Sequence, residues 1–255
     1  MNNIIAFIPA RGGSKGIPRK NIKLLGDKPL ISYSIDSAFK SGIQKVVVST
    51  DSQEIADVAK EYGAEVMMRP ASLAQDKTSM FEVLQSEIPK IQPQPDLVLL
   101  LQCTYFPIET VRVKTAISYL TENIEKYDSL IVVEKIPEKY HPALAIISAS
   151  NGKRMVMGKF TNLKDRIKSY FTGIKYTKPS LSGVPISQRL TQRQDHPEAW
   201  VPTGELYIFK VSNIKKGSIY GENVLLLESN NEGININTPE DWEIAEQIYA
   251  KRNFH

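Results

Sequence analysis

Cysteine occurs once in the 255 residues, as Cys103, and histidine only as His141, His196 and His255. A lone thiol excludes a disulfide framework, and with no Cys/His pairing it reads as a small buried filler, not a nucleophile; zinc has no support. Long hydrophobic runs are also lacking. The apolar opening IIAFIPA is interrupted at Pro9 and is too short for a leader or a membrane span, so no stable membrane insertion and a cytoplasmic location are expected. Neither sign of charge dominates: 32 Lys and Arg against 28 Asp and Glu leave a net charge of +4 and a pI near 8.9. That excess is too small for a nucleic-acid footprint, but it suits an anionic small molecule. There is no internal repeat or low-complexity tract. Hydrophobic residues at 42% and charged residues at 24% describe an ordinary soluble globular chain, and its length fits one domain spanning 1–255.

What is present alternates. Short β-branched or apolar runs, IIAFI at 4–8, KVVVS at 45–49, AEVMM at 64–68, DLVLLL at 96–101 and SLIVVE at 129–134, are separated by amphipathic stretches. This pattern predicts crossover units on a mostly parallel sheet with helices on both faces. Pro29 is expected to open a helix that runs to Phe39 and is ended by Gly42. A loop is expected over 69–78, with helices from Ser79, over 109–122, and from Thr238 as cap through TPEDWEIAEQIYAKR. Between 137 and 202 the periodicity loosens, and this stretch is expected to leave the main sheet before GELYIFK at 204–210 resumes it. Within it, residues 151–178 carry eight bases against one acid, Asp165. The plain reading is a solvated face; an acidic partner or a membrane surface is the sharper one.

The stretch IPARGGSKGIPRKNI at 8–22 follows the first strand and so falls at the carboxyl edge of the sheet, where ligands bind in open α/β folds. Glycines there let backbone amides approach an anion, and Arg11, Lys15, Arg19 and Lys20 add charge; together they make a phosphate cradle. The spacing of Gly12, Gly13 and Gly16 matches neither the dinucleotide fingerprint nor the P-loop, which disfavours a dehydrogenase or a P-loop hydrolase.

This phrase, together with VVVSTDSQEIADVAKEYGAEV, RPASLAQDKTS, LLLQCT, RQDHPEAWVPTGELYIFK and INTPEDWEIAEQI in that order, resembles the acylneuraminate cytidylyltransferase family, which joins CMP to sialic acid, KDO and related acidic sugars for cell-surface polysaccharides. The resemblance is weakest between 152 and 188. It implies a nucleotidyltransferase-type, Rossmann-like α/β fold, CTP as co-substrate with Mg²⁺, an acidic sugar as acceptor, and a homodimer formed through the 137–202 excursion. By the match, Ala10, Arg11, Gly12, Gly13, Ser14, Lys15, Lys20 and Asn21 would hold the nucleotide, with Arg69, Asp76 and Ser79 nearby. Arg11 and Lys20 would act in the reaction itself. Gln102, Thr104, Arg193, Gln194, Thr203, Glu205 and Tyr207 would face the sugar.

The sequence departs from the family at several points. Where the family has D-I-D, whose carboxylates hold Mg²⁺, this chain has Asn235 and Asn237, and neutral amides bind that ion more weakly. Glu205, alternating with Thr203 and Tyr207 along a strand, is the candidate replacement carboxylate for the metal or the sugar; its alternative is a solvated edge position. Ile108 and Val201 replace arginines, Thr203 an asparagine and Met80 a serine, which points to an acidic sugar other than N-acetylneuraminate. The competing reading is a degenerate homologue that binds nucleotide or sugar with little turnover.

Overall fold

Ile5, Ala6, Phe7 and Ile8 are all fully buried, although their side chains alternate between two faces. A strand with both faces covered must lie inside a sheet that carries helices on each side. The computed structural model describes residues 3–137, 146–148, 154–156, 199–229 and 232–253. Its strands are β1 (Ile4–Pro9), β2 (Leu24–Leu25), β3 (Lys28–Pro29), β4 (Val46–Thr50), β5 (Glu65–Met68), β6 (Leu97–Leu101), β7 (Tyr105–Phe106), β8 (Ser129–Lys135), β9 (Ile146–Ser148), β10 (Arg154–Val156), β11 (Trp200–Lys210), β12 (Val224–Glu228) and β13 (Ile234–Asn235).

Seven strands form one sheet in the order β12-β8-β11-β6-β1-β4-β5. The pairs β6–β1, β1–β4 and β4–β5 are parallel, with β6 at the centre of the seven, and β11 runs antiparallel to β6. The expected α/β architecture is therefore present. On one face, Ala6, Ile8, Val46, Val48, Leu97, Leu99, Leu101, Leu206 and Ile208 pack with apolar residues of α1 (Leu30–Lys40), α2 (Gln53–Glu61) and α4 (Thr110–Glu122). On the other face, Ile5, Phe7, Val47, Val98, Leu100 and Phe209 pack with Val83 and Leu84 of α3 (Met80–Glu87) and with Ile214. The uninterrupted apolar runs IIAFI and DLVLLL are thus shared between two cores, one on each face.

Local chemistry sets the element ends. Ser52 caps α2 by accepting from the Ile55 amide, and Ser79 forms a reciprocal capping box with Glu82 at the start of α3. Pro29 does not open α1 as its first helical residue. Its backbone is extended (φ −58°, ψ 140°) and pairs in the β2–β3 ribbon, so the helix begins at Leu30. The strand expected at 204–210 begins at Trp200.

One paired ribbon was not visible as a pattern. β13 pairs antiparallel with β7, placing Ile234 opposite Phe106 and Asn235 opposite Tyr105. Two-residue strands carry no usable period. A third core, with Ile17, Leu25, Leu30, Phe106, Ile236, Trp242 and Ala245, fastens the glycine-rich loop and this ribbon to the C-terminal helix Pro239–Asn253.

By its contacts the chain divides into two compact units, one of Met1–Val132 with Pro202–His255 and one of Val133–Val201. In the second, β9 and β10 pair antiparallel, with Met155 opposite Ile147. The basic segment 151–178 lies largely outside the described residues, as do His141, His196 and His255. Among the described residues no helix is long and apolar enough to cross a membrane.

Leu99 sits at the middle of the sheet, fully buried, with Ala6 and Ile208 as its neighbours across β1 and β11. Leu99→Ala is expected to lower the unfolding free energy by about 2–5 kcal/mol. Urea denaturation followed by circular dichroism measures this; a loss below about 1 kcal/mol would contradict a close-packed centre at this position.

Candidate active site

β6, β1, β4 and β5 run parallel, so their carboxyl ends open on one edge, and the segments that follow β1, β5 and β6 line a cleft of about 380 Å³. After β1 come Arg11, Ser14, Lys15, Gly16, Lys20 and Asn21. After β5 come Arg69, Asp76, Thr78 and Met80, and after β6 Gln102, Cys103 and Thr104. Asn237, just beyond β13, closes the rim.

The loop is pinned from several directions. Gly12 donates its amide to Asp51 at 2.9 Å, and Asn21 donates through Nδ2 to the Arg11 carbonyl at 2.9 Å. The Cys103 thiol, fully buried and pushed up to about 12 by loss of solvation, stays protonated and donates to Asn21 Oδ1 at 3.3 Å. It is a structural filler here. Lys20 is buried and donates through Nζ to the carbonyl of Ile236; burial lowers its pKa. Gly16 approaches the ribbon so closely that a Cβ would lie 2.3 Å from the Asn237 carbonyl oxygen, so only glycine allows this seam without a shift.

The electrostatics favour an anion. Arg11, Lys15, Lys20 and Arg69 line the cleft against one acid, Asp76. Asp76 accepts from Lys15 and from Arg11 at 2.9 Å, and these bonds hold its carboxyl below the usual range. Arg69 is buried, with its pKa lowered by desolvation, and its Nε and Nη1 have no hydrogen-bond partner among the described residues. Buried donors of this kind are costly unless an acceptor arrives.

The expected site residues are distributed as follows. Arg11, Ser14, Lys15, Lys20, Asn21, Arg69, Asp76, Gln102, Thr104 and Asn237 line the cleft. Ala10, Gly12 and Gly13 belong to the same loop without lining the cleft, and Ser79 is engaged as the cap of α3. Asn235 lies behind Asn237, its Oδ1 accepting from Thr104 Oγ1 at 2.9 Å, and a Cβ on Gly204 would meet its Nδ2 at 2.8 Å and Gln102 Oε1 at 3.5 Å. Thr203 donates through Oγ1 to the Val132 carbonyl at 3.4 Å. Tyr207 packs half-buried on the face of Phe7 and Phe209, edge-on to Tyr220 at 6.4 Å. Arg193 and Gln194 fall outside the described residues. Residue patterns missed Gln75 and Thr78, both of which line the cleft, while Gly16, read as one of the loop glycines, lines it as well. The roles of Gln75 and Thr78 come from backbone position, and no composition signal marks them.

Glu205 requires a correction. It is neither solvated nor on the cleft: it is fully buried, with Oε2 accepting from Arg112 Nη1 at 3.2 Å, and Arg112 also donates to Ser229 at 2.7 Å. Arg112 belongs to α4, which packs on the sheet face opposite Tyr207. The left-handed backbone of Gly204 (φ +80°) interrupts the strand alternation that would have kept Thr203, Glu205 and Tyr207 on one face.

Nor do the residues present fit a protein-held magnesium ion. That ion takes anionic oxygen ligands. Among the described residues no three His, Cys, Asp or Glu side chains gather as a metal site. In the cleft the one carboxylate is committed to two cations, and Asn235 and Asn237 supply only amides.

A mostly parallel sheet with helices on both faces and a cationic, glycine-bordered cleft at its carboxyl edge fits a nucleotidyltransferase-type α/β fold. The cytidylyltransferase family model matches residues 5–155, and the chain belongs to that family. A CMP-N,N'-diacetyllegionaminic acid synthase of Legionella pneumophila is 33% identical over 253 residues, covering 96% of this chain and 95% of that one. A pseudaminic acid cytidylyltransferase of Campylobacter jejuni is 47% identical over 103 residues, 40% of this chain and 44% of the relative. An N-acylneuraminate cytidylyltransferase of Escherichia coli is 38% identical over 133 residues, which is 52% of this chain but only 31% of that longer protein. The solved structure of a CMP:2-keto-3-deoxy-manno-octonic acid synthetase complexed with CTP superposes with a TM-score of 0.67 over 98% of this chain and 99% of the other, at 16% identity, a likeness of fold.

Burial lifts the Glu205 carboxyl from its ordinary 4.5 to about 7, against the opposing pull of Arg112. Between those values the folded chain holds a proton that the unfolded chain releases, so stability is highest below about pH 4.5 as far as this group is concerned and declines as pH rises to about 7. Glu205→Gln is expected to flatten that decline. Thermal melts of both proteins from pH 4.5 to 8 check it, and parallel profiles would refute it.

Proposed function

We propose that the chain transfers CMP from CTP to a hydroxyl of an acidic sugar of the nonulosonic or octulosonic class and releases pyrophosphate. The observation that carries this reading is the convergence of Arg11, Lys15, Lys20 and Arg69 on one cleft with a single, already neutralised carboxylate. The relatives named above, which include a legionaminic acid synthase aligned over nearly the whole of both chains, support the sugar class.

In this reading the sugar hydroxyl attacks the α-phosphorus in line with the departing pyrophosphate, and catalysis comes from positioning and charge stabilisation. The loop amides and Arg11, Lys15 and Lys20 take the phosphates. Lys20, fixed by its bond to the Ile236 carbonyl, is held with its stem buried and donors left for an oxygen of the reacting phosphoryl group. Arg69 offers its unpaired nitrogens to an acceptor on the nucleotide. Gln102 and Thr104, beyond the end of β6, face the sugar, with Arg193, Gln194, Thr203 and Tyr207 assigned to the same side. Magnesium enters as the counter-ion of CTP. A cytoplasmic homodimer formed through 137–202 belongs to the same proposal.

Pyrophosphate release is measured with CTP, Mg²⁺ and sialic, legionaminic, pseudaminic and KDO-type acids in parallel. Release with one of them is expected, and Lys20→Ala should lower its rate by about 100-fold or more while the fold is kept. Silence with every sugar while CTP still binds would overturn the transferase in favour of a nucleotide-binding homologue without turnover.

A further inference from the structure

The mismatch between this cleft and a bound metal bears on how the nucleotide is held. Every carboxylate near the cleft is already engaged. Asp76 accepts from Arg11 and Lys15, Asp51 from the Gly12 amide, and Asp241 takes the backbone amides of Asn237 and Thr238 at 2.8 and 2.9 Å. The seam residues are engaged as well: Asn235 Oδ1 accepts from Thr104, and Asn237 Nδ2 donates to the Asn235 carbonyl at 3.4 Å. What remains free to meet a ligand is almost wholly donor, on cations. A divalent ion seated on the protein in the cleft would face four positive side chains and a single lining carboxylate, Asp76, that two of them already hold, a repulsion that amides do not offset.

We infer that this chain binds the triphosphate directly on its own N–H donors, and that any metal arrives on the nucleotide and is not held by the protein, Asn235 and Asn237 being seam residues instead of metal ligands. This rests on the nucleotide reading above and adds to it a division of labour. Two carboxylates at 235 and 237 would place negative charge beside the phosphates and would need a cation between them. Two amides remove both the charge and the need. The chain then neutralises the triphosphate through its guanidinium and ammonium groups, which in a partly buried cleft act without a metal intermediary.

The test compares CTP binding by calorimetry in EDTA and in Mg²⁺, and Mn²⁺ binding to the nucleotide-free protein by electron paramagnetic resonance. The expected result is a CTP affinity in EDTA within about threefold of that in Mg²⁺, with no Mn²⁺ bound by free protein up to about 1 mM. The isosteric pair Asn235→Asp with Asn237→Asp should gain at least about tenfold in Mn²⁺ affinity and lose about tenfold or more in CTP affinity in EDTA. CTP binding that collapses in EDTA, or Mn²⁺ held by the free wild-type chain, would overturn the inference while leaving the nucleotide reading standing. CTP binding in neither buffer would remove both.

Discussion

The ammonium of Lys20 bonded to the carbonyl of Ile236 joins two parts of the chain 216 residues apart, and the site is organised around that contact. A lysine taken out of water is unfavourable unless its charge is met, so this one must be held in a single place. Here it is held by a backbone carbonyl in the turn after β13, while Asn21 fixes the loop on the other side through the Arg11 carbonyl and the Cys103 thiol. The apolar cluster of Ile17, Ile236 and Trp242 seals the same seam from below. The glycine-rich loop is therefore a constrained backbone, and its buried Lys20 meets a ligand with little conformational freedom left to lose.

Around that seam the charges are arranged for exchange. Asp76 neutralises Arg11 and Lys15 from an exposed position, where solvent weakens an ion pair. An incoming polyphosphate can take those cations with little penalty, and Asp76 then returns to water. Arg69 differs, since its unpaired nitrogens are buried and have no such temporary partner. The cleft thus combines a replaceable internal anion with an unsatisfied internal cation, and both favour a bound anion.

The Glu205–Arg112 pair shows a second use of charge, away from the ligand. It links β11, α4 and Ser229 in a dry setting, where an ion pair organises neighbouring elements more than it adds net stability. Its link to the site is indirect: Gly204, next in the chain, is the residue against which Asn235 and Gln102 pack.

Much of this was legible in the chain. Apolar runs buried on both faces, cap residues such as Ser52 and Ser79, and the glycines and cations of 8–22 each act through local chemistry, so the α/β class and the anion cradle could be read directly. Two-residue strands have no period, so the β7–β13 ribbon, and with it the placement of Asn235 and Asn237, was not readable. Nor was Glu205: its fate turns on one left-handed glycine and on an arginine 93 positions away. Which residues favour a strand, a helix end or an anion is written in the chain, because those preferences are local. Which carboxylates are already neutralised and which donors remain free emerges on folding, because burial and pairing depend on neighbours brought together from distant parts of the chain.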